Sequence, residues 1–417
     1  MAHILIVGQG GFGDMFPLFS IATALRAGGH RLSIAAEPHH AAACAALDIV
    51  HHPLGTLIAA QPDSGLLESL RDQLLATLSP AGLSNAVEQL LPLARDADLI
   101  LGNQLAYAGA IVRDLLGKPW VYCAASPLSI PSRLDPPLWP YVAGLQALTA
   151  RWGVPESVFV GLMRQATRAL MAPQRRLRRR LGLPRNGHPR FEGMYSAQLN
   201  LLTASPLLLA PQSDWPPRSV LTGFCWFEPS FLGDPNLTAE LVEFATRGEP
   251  PIVLAPGGAR RGNPPRFFRN AVAACRKLGR RMILVAAPRF HAALPTGPDV
   301  KLSGYMPYAR LFGLASVVVH SGGIGTIGWA MRQGVPSLLL PEDWDQHDNA
   351  RRAERRGYAR VLGADASADR IALMLGRILQ DAPLQERLRR DAPIVAAEDG
   401  AAIACRAIED MLATHAT

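Results

Sequence analysis

Apolar residues along this chain fall in short unbroken runs. Each run is closed by a glycine-rich or polar turn and followed by a stretch in which apolar positions recur at helical spacing. His3 to Val7 is the first run; Gly8-Gln9-Gly10-Gly11-Phe12-Gly13 and Asp14 follow it. Phe16, Phe19, Ala22 and Leu25 then keep a helical period until Gly28-Gly29. Further strands are predicted at Arg31 to Ala36, Asp48 to His52, Asp98 to Leu101, Pro119 to Cys123 and Leu199 to Thr203. Helices are predicted over His40 to Leu47, twice between Leu66 and Ala94, and over Ala106 to Leu116. Runs without polar alternation suit parallel strands buried on both faces.

The proline-rich segment Ala210-Pro211-Gln212-Ser213-Asp214-Trp215-Pro216-Pro217 reads as a connection, and a second series begins after it. Its predicted strands are Ile252 to Ala255, Met282 to Ala286, Val300 to Leu302, Ser316 to Val319 and Pro336 to Leu340. Helices at Phe267 to Lys277, Tyr308 to Leu314 and Ile324 to Arg332 separate them, and helices Ala368 to Gln380 and Ala401 to Ala413 close the chain. This alternation predicts an α/β protein of two facing, doubly wound, Rossmann-like domains, with a ligand cleft at the carboxyl ends of the strands. The expected boundaries are 1–210 for an N-terminal domain, 211–219 for a linker, 220–398 for a C-terminal domain and 399–417 for a helix placed to pack back on the first domain. From Pro127 to Arg180 the rhythm breaks into a proline-rich loop with Trp139 and Tyr141 and then apolar helices, Leu145 to Leu148 and Val158 to Leu170. An inserted lid or pocket wall has this form.

Composition narrows the picture only in part. A length of 417 residues suits two domains. The five cysteines have no metal-ligand spacing, which predicts a reducing compartment and no metal site. The net charge of +8 is compatible with nucleic acid, anionic lipid or phosphorylated substrates. The run Arg175-Arg176-Leu177-Arg178-Arg179-Arg180 reads first as a solvated helix end, with contact to an anionic membrane as the sharper alternative. The amino terminus lacks a basic region and a long apolar run, and no window is apolar for 18 or so residues. The expectation is a cytoplasmic protein, at most peripheral at the inner face of the membrane.

Chemistry concentrates in Val317-Val318-Val319-His320-Ser321-Gly322-Gly323-Ile324-Gly325-Thr326 and in Asp345-Gln346-His347-Asp348-Asn349. A strand ending in glycines and opening a helix presents free N–H groups and a positive dipole end, which suit a phosphate; His320 can donate to the same oxygens. Asp345 and Gln346 in the next loop suit a hydroxyl-rich ligand, or else cap a helix. At the amino terminus, Gly8 to Gly13 with Glu37 after the second strand is a weak dinucleotide-binding pattern. His39, His40, His51 and His52 form pairs without carboxylate or cysteine spacing.

The sequence resembles the family-1, two-domain (GT-B) nucleotide-sugar glycosyltransferases over its whole length. Within that family it resembles most the bacterial rhamnosyltransferases of rhamnolipid biosynthesis. The segments that carry this are Gly13-Asp14-Met15-Phe16-Pro17-Leu18, Gln212-Ser213-Asp214-Trp215-Pro216 with Thr222-Gly223-Phe224, His320 to Gly325, Ala330 with Gly334-Val335-Pro336, and Asp345-Gln346 with Asp348-Asn349-Ala350. The resemblance implies that the donor diphosphate sits on Ser321, Gly322, Gly323, Gly325 and Thr326 with His320 beside it, and that the sugar meets Asp345 and Gln346. Gly304-Tyr305-Met306-Pro307 stands where the family packs a tryptophan on the base, so Tyr305 and Met306 would flank it. Pro256-Gly257-Gly258 replaces a Gly-Ser turn, leaving backbone N–H groups of Gly257 and Gly258 for a phosphate. Gly328 stands where plant members place a ribose-binding glutamate, which is compatible with a TDP-sugar. No cofactor and no metal are implied.

In this reading Asp14 is the base that takes the acceptor proton, set against a plain role as helix N-cap. Gly11, Phe12, Trp139 and Tyr141 would line the acceptor site. The expected activity is an inverting, metal-independent transfer of L-rhamnose from TDP-L-rhamnose to a hydroxyalkanoyloxyalkanoate lipid, giving a mono-rhamnolipid, with no nucleic-acid partner. The alternatives are a glycosyltransferase for a polyketide, peptide or terpenoid aglycone using a UDP- or TDP-sugar, a nucleotide-sugar epimerase, and a non-catalytic sugar-nucleotide-binding partner.

Overall fold

The computed structural model describes residues 1–55, 79–140, 142–229, 236–256 and 264–415. They form two compact units. The first takes Met1–Pro206, Ala210–Phe227 and Asp399–Thr417; the second takes Leu207–Leu209 and Glu228–Glu398.

In the first unit the strands are β1 (His3–Val7), β2 (Arg31–Ala36), β3 (Val50–Pro53), β4 (Leu99–Asn103), β5 (Trp120–Ala124), β6 (Leu199–Leu202) and β7 (Ser219–Leu221). All pair in parallel, in the order β3-β2-β1-β4-β5-β6-β7. Ile4, Leu5, Ile6, Leu99, Ile100, Leu101, Trp120 and Val121 are all fully buried, so the central strands are covered on both faces as their sequences require. The covering helices are α1 (Phe12–Ala27), α2 (Ala41–Ala46), α3 (Pro80–Arg95) and α4 (Tyr107–Leu116). An inserted trio lies between β5 and β6: α5 (Ala143–Ala150), α6 (Ser157–Leu170) and α7 (Ala172–Arg180). Of the two helices predicted between Leu66 and Ala94, the second is α3; the first falls largely on 56–78, outside the described residues.

The second unit holds α8 (Ala239–Thr246), β8 (Ile252–Leu254), α9 (Pro264–Lys277), β9 (Met282–Val285), β10 (Val300–Ser303), α10 (Tyr308–Leu311), β11 (Val317–His320), α11 (Ile324–Arg332), β12 (Ser337–Leu339), α12 (Gln346–Arg355), β13 (Ala359–Val361), α13 (Ala368–Gln380) and α14 (Ala382–Ala396). Its sheet, again parallel, runs β10-β9-β8-β11-β12-β13. Both sheets therefore contain the order 3-2-1-4-5-6. The winding direction reverses between β1 and β4 in one and between β8 and β11 in the other, and ligands of doubly wound sheets bind outside the carboxyl ends of strands at such a reversal.

One element departs from the sequence-based boundaries. The predicted linker contains the start of β7, which extends the first sheet by pairing Asn200, Leu201 and Leu202 with Ser219, Val220 and Leu221, so the first unit runs on to Phe227. The closing helix α15 (Gly400–His415) belongs to that same unit. The Gly400 N–H donates to the Phe224 carbonyl at 3.0 Å, and His30 stands 3.5 Å from Glu409.

Candidate active site

In the first unit the turn after β1 is built around Gly10. Its φ of +109° is open to glycine, and a side chain there would come within 2.5 Å of the Asp14 carboxylate. The buried Glu37 carboxylate accepts the Gly10 N–H at 3.1 Å, and the Nε2 of the buried His40 lies 3.0 Å from the Gly10 carbonyl, so both polar groups of the Gly10 residue are held. The dinucleotide-type role expected for Glu37 gives way here: its carboxylate is 1% exposed and bound to backbone. The helix begins at Phe12 with Gly11 as N-cap, so Asp14 sits at the third helical position and not at the cap. Its Oδ2 accepts the Gly11 N–H at 3.0 Å, and its Oδ1 accepts Gln104 Nε2 at 2.7 Å.

The sequence pattern does not single out Gln104. It follows β4, and its Oε1 accepts the Ala125 N–H at 3.3 Å at the end of β5. The neighbouring Asn103 is buried and donates to the Gln9 carbonyl at 2.8 Å. The signal that would have found it is positional: Asn103-Gln104 closes the strand that follows the reversal and so lies beside the end of β1.

Of the residues expected to line an acceptor site, Gly11 is exposed and Phe12 partly so, its ring stacked on Phe16 at 5.7 Å and edge-on to His40 at 5.2 Å. Trp139 is a correction. It is 2% exposed, in a core cluster with Leu128, Phe159 and Phe191, where it anchors the insertion. Tyr141 lies outside the described residues, as do Gly257 and Gly258.

In the second unit His320 ends β11 and is 1% exposed. Burial lowers its pKa to about 3, so the ring is neutral. Nδ1 accepts the Gly322 N–H at 3.2 Å, which places the proton on Nε2, 3.2 Å from Ser337 Oγ. The expectation that His320 donates directly to a phosphate is therefore revised: both ring nitrogens are engaged within the fold, and the side chain orders the turn. The Ser321 hydroxyl is likewise used internally, donating to the Pro256 carbonyl at 2.6 Å and tying the end of β11 to the end of β8 across the reversal.

Gly322 has φ +91°, and a Cβ there would meet the Gln346 carbonyl at 3.1 Å. Helix α11 starts after Gly323; its first internal bond is Ile327 N–H to Gly323 at 3.0 Å. The N–H groups of Ile324, Gly325 and Thr326 lie ahead of that bond, at the positive end of the helix, and Gly325 is exposed. A turn of this form offers backbone N–H groups to an anion.

The predicted polar loop 345–349 is the start of α12, with Asp345 at its N-cap position. Asn349 Nδ2 donates to Asp345 Oδ2 at 2.9 Å and to the Gly322 carbonyl at 3.2 Å, locking this helix to the turn after β11. Gln346 Oε1 accepts the Glu342 and Asp343 N–H groups at 3.0 and 3.2 Å, leaving its amide nitrogen as the atom a ligand hydroxyl could meet. Asp348 is fully buried and paired with Arg352 at 2.8 Å, a structural ion pair. Trp344, immediately before Asp345, has φ +51°, a rare conformation for a bulky side chain and one that the sequence does not reveal.

Tyr305 follows β10. It is partly buried, and its phenol is held neutral by that burial, with its ring centroid 6.1 Å from that of Tyr308. Met306 packs against the core of the unit.

The two units have the fold of the GT-B glycosyltransferases. The protein aligns with the crystal structure of a glycotransferase of kitacinnamycin (TM-score 0.72, 20% identity, 99% of each chain). It also aligns with a spinosyn rhamnosyltransferase complexed with thymidine diphosphate (TM-score 0.68, 20% identity, 98% of this chain and all of that one). Residues 282–406 match the family described as erythromycin biosynthesis protein CIII-like, C-terminal domain. The O-mycaminosyltylonolide 6-deoxyallosyltransferase of Streptomyces fradiae is 28% identical over the whole of this chain and 99% of its own. Along its whole length the protein is therefore similar to bacterial glycosyltransferases of the natural-product type.

Proposed function

We propose that this protein transfers a deoxyhexose from a thymidine-type nucleoside diphosphate sugar, with inversion, to a hydroxyl of an apolar natural-product acceptor. The reading is supported by the groups that stand at the reversal of each sheet. One holds a carboxylate oriented by Gln104 and Gly11; the other holds a backbone anion cradle ordered by neutral His320. The acceptor oxygen forms a bond to the anomeric carbon while its proton passes to Asp14. The bond from that carbon to the diphosphate oxygen breaks, and the electron pair leaves with the diphosphate, whose charge the N–H groups at the start of α11 stabilise. Tyr305 flanks the base, and Asp345 with the Gln346 amide binds sugar hydroxyls. Thymine is favoured because the similar spinosyn enzyme was solved with thymidine diphosphate and because Gly328 offers no carboxylate to a 2′-hydroxyl.

A second reading gives the same donor chemistry a hydroxyalkanoyloxyalkanoate acceptor and L-rhamnose. It is supported by the segments Gly13 to Leu18 and Gln212 to Pro216. The test incubates the protein with TDP-L-rhamnose, other TDP-deoxysugars and UDP-glucose, with macrolide aglycones or hydroxyalkanoyl lipids, in the presence and absence of a chelator. Acceptor-dependent nucleotide release that survives the chelator supports transfer, and product mass chooses between the acceptors. Donor isomerisation without acceptor would mean an epimerase; donor binding without turnover would mean a non-catalytic partner.

A further inference from the structure

The inserted helices carry an exposed apolar surface. Thirteen large apolar side chains stand exposed among the described residues, and six of them fall between Ala143 and Arg180: Leu145, Leu148, Trp152, Val158, Leu162 and Leu170. Trp152, in the turn between α5 and α6, is 73% exposed, and Val158 and Leu162 are each 54% exposed. Helix α6 is apolar on two sides. Phe159 and Met163 face the cluster around Trp139, while Val158, Leu162, Ala166 and Ala169, three or four residues apart, share the outer face. A helix that has already satisfied its core and still presents leucine and valine to solvent leaves an apolar face without a partner among the described residues.

The charge is concentrated beside it. From Ser157 to Phe191 there are nine arginines and no aspartate or glutamate, so this segment alone carries +9 where the whole chain carries +8. The rest of the molecule is close to neutral. Arg164 and Arg178 are paired with Glu192 and Asp114. On α7 the buried side is Gln174, Leu177 and Arg178, while Arg175, Arg176, Arg179 and Arg180 are exposed together on the other side. Helix ends tolerate cations for their dipole alone, but that accounts for the last turn and not for an outward leucine face on the preceding helix.

We propose that α5, α6 and α7 form a docking surface for an anionic lipid bilayer. Val158, Leu162 and Trp152 enter the boundary between headgroups and acyl chains, and the α7 arginines meet lipid phosphates. Both halves of the surface are needed for this occupant, since an apolar face alone would suit a second copy of the protein and arginines alone would suit a polyanion. No helix among the described residues is long and apolar enough to cross a membrane, so the association is peripheral. It requires nothing of the transfer reaction, and its failure would leave that reading untouched.

The test is flotation of the full-length protein with vesicles of phosphatidylcholine containing phosphatidylglycerol, against phosphatidylcholine alone. The expected result is association with the anionic vesicles only, reversed by salt. It should be weakened at least about tenfold by Val158→Gln/Leu162→Gln and by the fourfold Arg175, Arg176, Arg179 and Arg180→Gln change, with thermal unfolding unaltered. Absence of association, equal association with neutral vesicles, or retention by both variants overturns the proposal. So does a dimer in sedimentation that Leu162→Gln dissolves, or binding of a single-stranded oligonucleotide in place of vesicles; these assign the surface to a second copy or to a nucleic acid.

Discussion

Gln104 Nε2 donates to Asp14 Oδ1 at 2.7 Å, joining the turn after β1 to the turn after β4 across the point where the first sheet reverses its winding. A carboxylate at the third position of a helix already caps that helix through the Gly11 N–H. The second hydrogen bond, from another strand, fixes where its remaining lone pairs point. Capping and catalysis are therefore compatible uses of one side chain.

Replacing Gln104 by alanine is expected to lower kcat by roughly 10- to 100-fold with the donor KM nearly unchanged, because the carboxylate loses orientation and not identity. Gln104→Glu puts a like charge beside Asp14 and should move the acid limb of the pH–rate profile to higher pH. Asp14→Asn should abolish turnover while nucleotide binding persists. Full activity in Asp14→Asn, measured as nucleotide release, would remove Asp14 from the mechanism; wild-type kinetics in Gln104→Ala would remove only its support.

The neutral, buried His320 links stability to pH. Its pKa falls from 6.5 to about 3 on folding, so the unfolded state takes up the proton first as pH drops. The stabilisation is present above pH 6.5 and is lost progressively below it, by about 2 kcal/mol between pH 6.5 and 5. His347, in the same unit, shifts in the same direction. The comparison is therefore wild type against His320→Asn in urea unfolding, where the variant should show the shallower pH dependence and the weaker nucleotide binding.

Gly322→Ala combines a positive φ of +91° with a Cβ placed 3.1 Å from the Gln346 carbonyl. The expected cost is about 1–3 kcal/mol of stability. A loss of donor affinity should accompany it, because the turn and α12 must separate. Titration of thymidine diphosphate by calorimetry checks this, with Gly161→Ala in the first unit as the control, since nothing lies within 4 Å of a Cβ at that position.

Gly400→Ala tests the closing helix apart from the site. A Cβ there would fall 2.5 Å from the Gly223 carbonyl and 2.7 Å from that of Phe224. A displaced α15 should lower Tm by several degrees at a cost of about 1–3 kcal/mol. Thymidine diphosphate binding should remain as in wild type, since the cradle lies in the other unit.

Much of the architecture is legible in the amino-acid sequence, for a local reason. Strands buried on both faces must be written as unbroken apolar runs, and helices between them must keep a period near 3.6, so His3–Val7, Ile324–Arg332 and Ala368–Gln380 can be read directly. Short or amphiphilic elements such as β7, β13 and α12 escape because Ser-Val-Leu, Ala-Arg-Val, or a helix opening on Gln-His-Asp-Asn, carry too little periodicity to stand out.

The amino-acid sequence by itself determined the two doubly wound sheets and the turns that bear Asp14 and His320, because glycines after apolar runs constrain backbone through sterics that act within a few residues. The fold alone decided what those side chains do. That Gln104 reaches Asp14, that His320 faces Gly322 and Ser337 as a neutral ring, that Glu37 is committed to Gly10, and that Trp139 is core all depend on partners 2 to 90 positions away. Hydrogen bonds and burial are properties of neighbours in space, and strand order, which brings β4 beside β1, is set only when the whole sheet assembles.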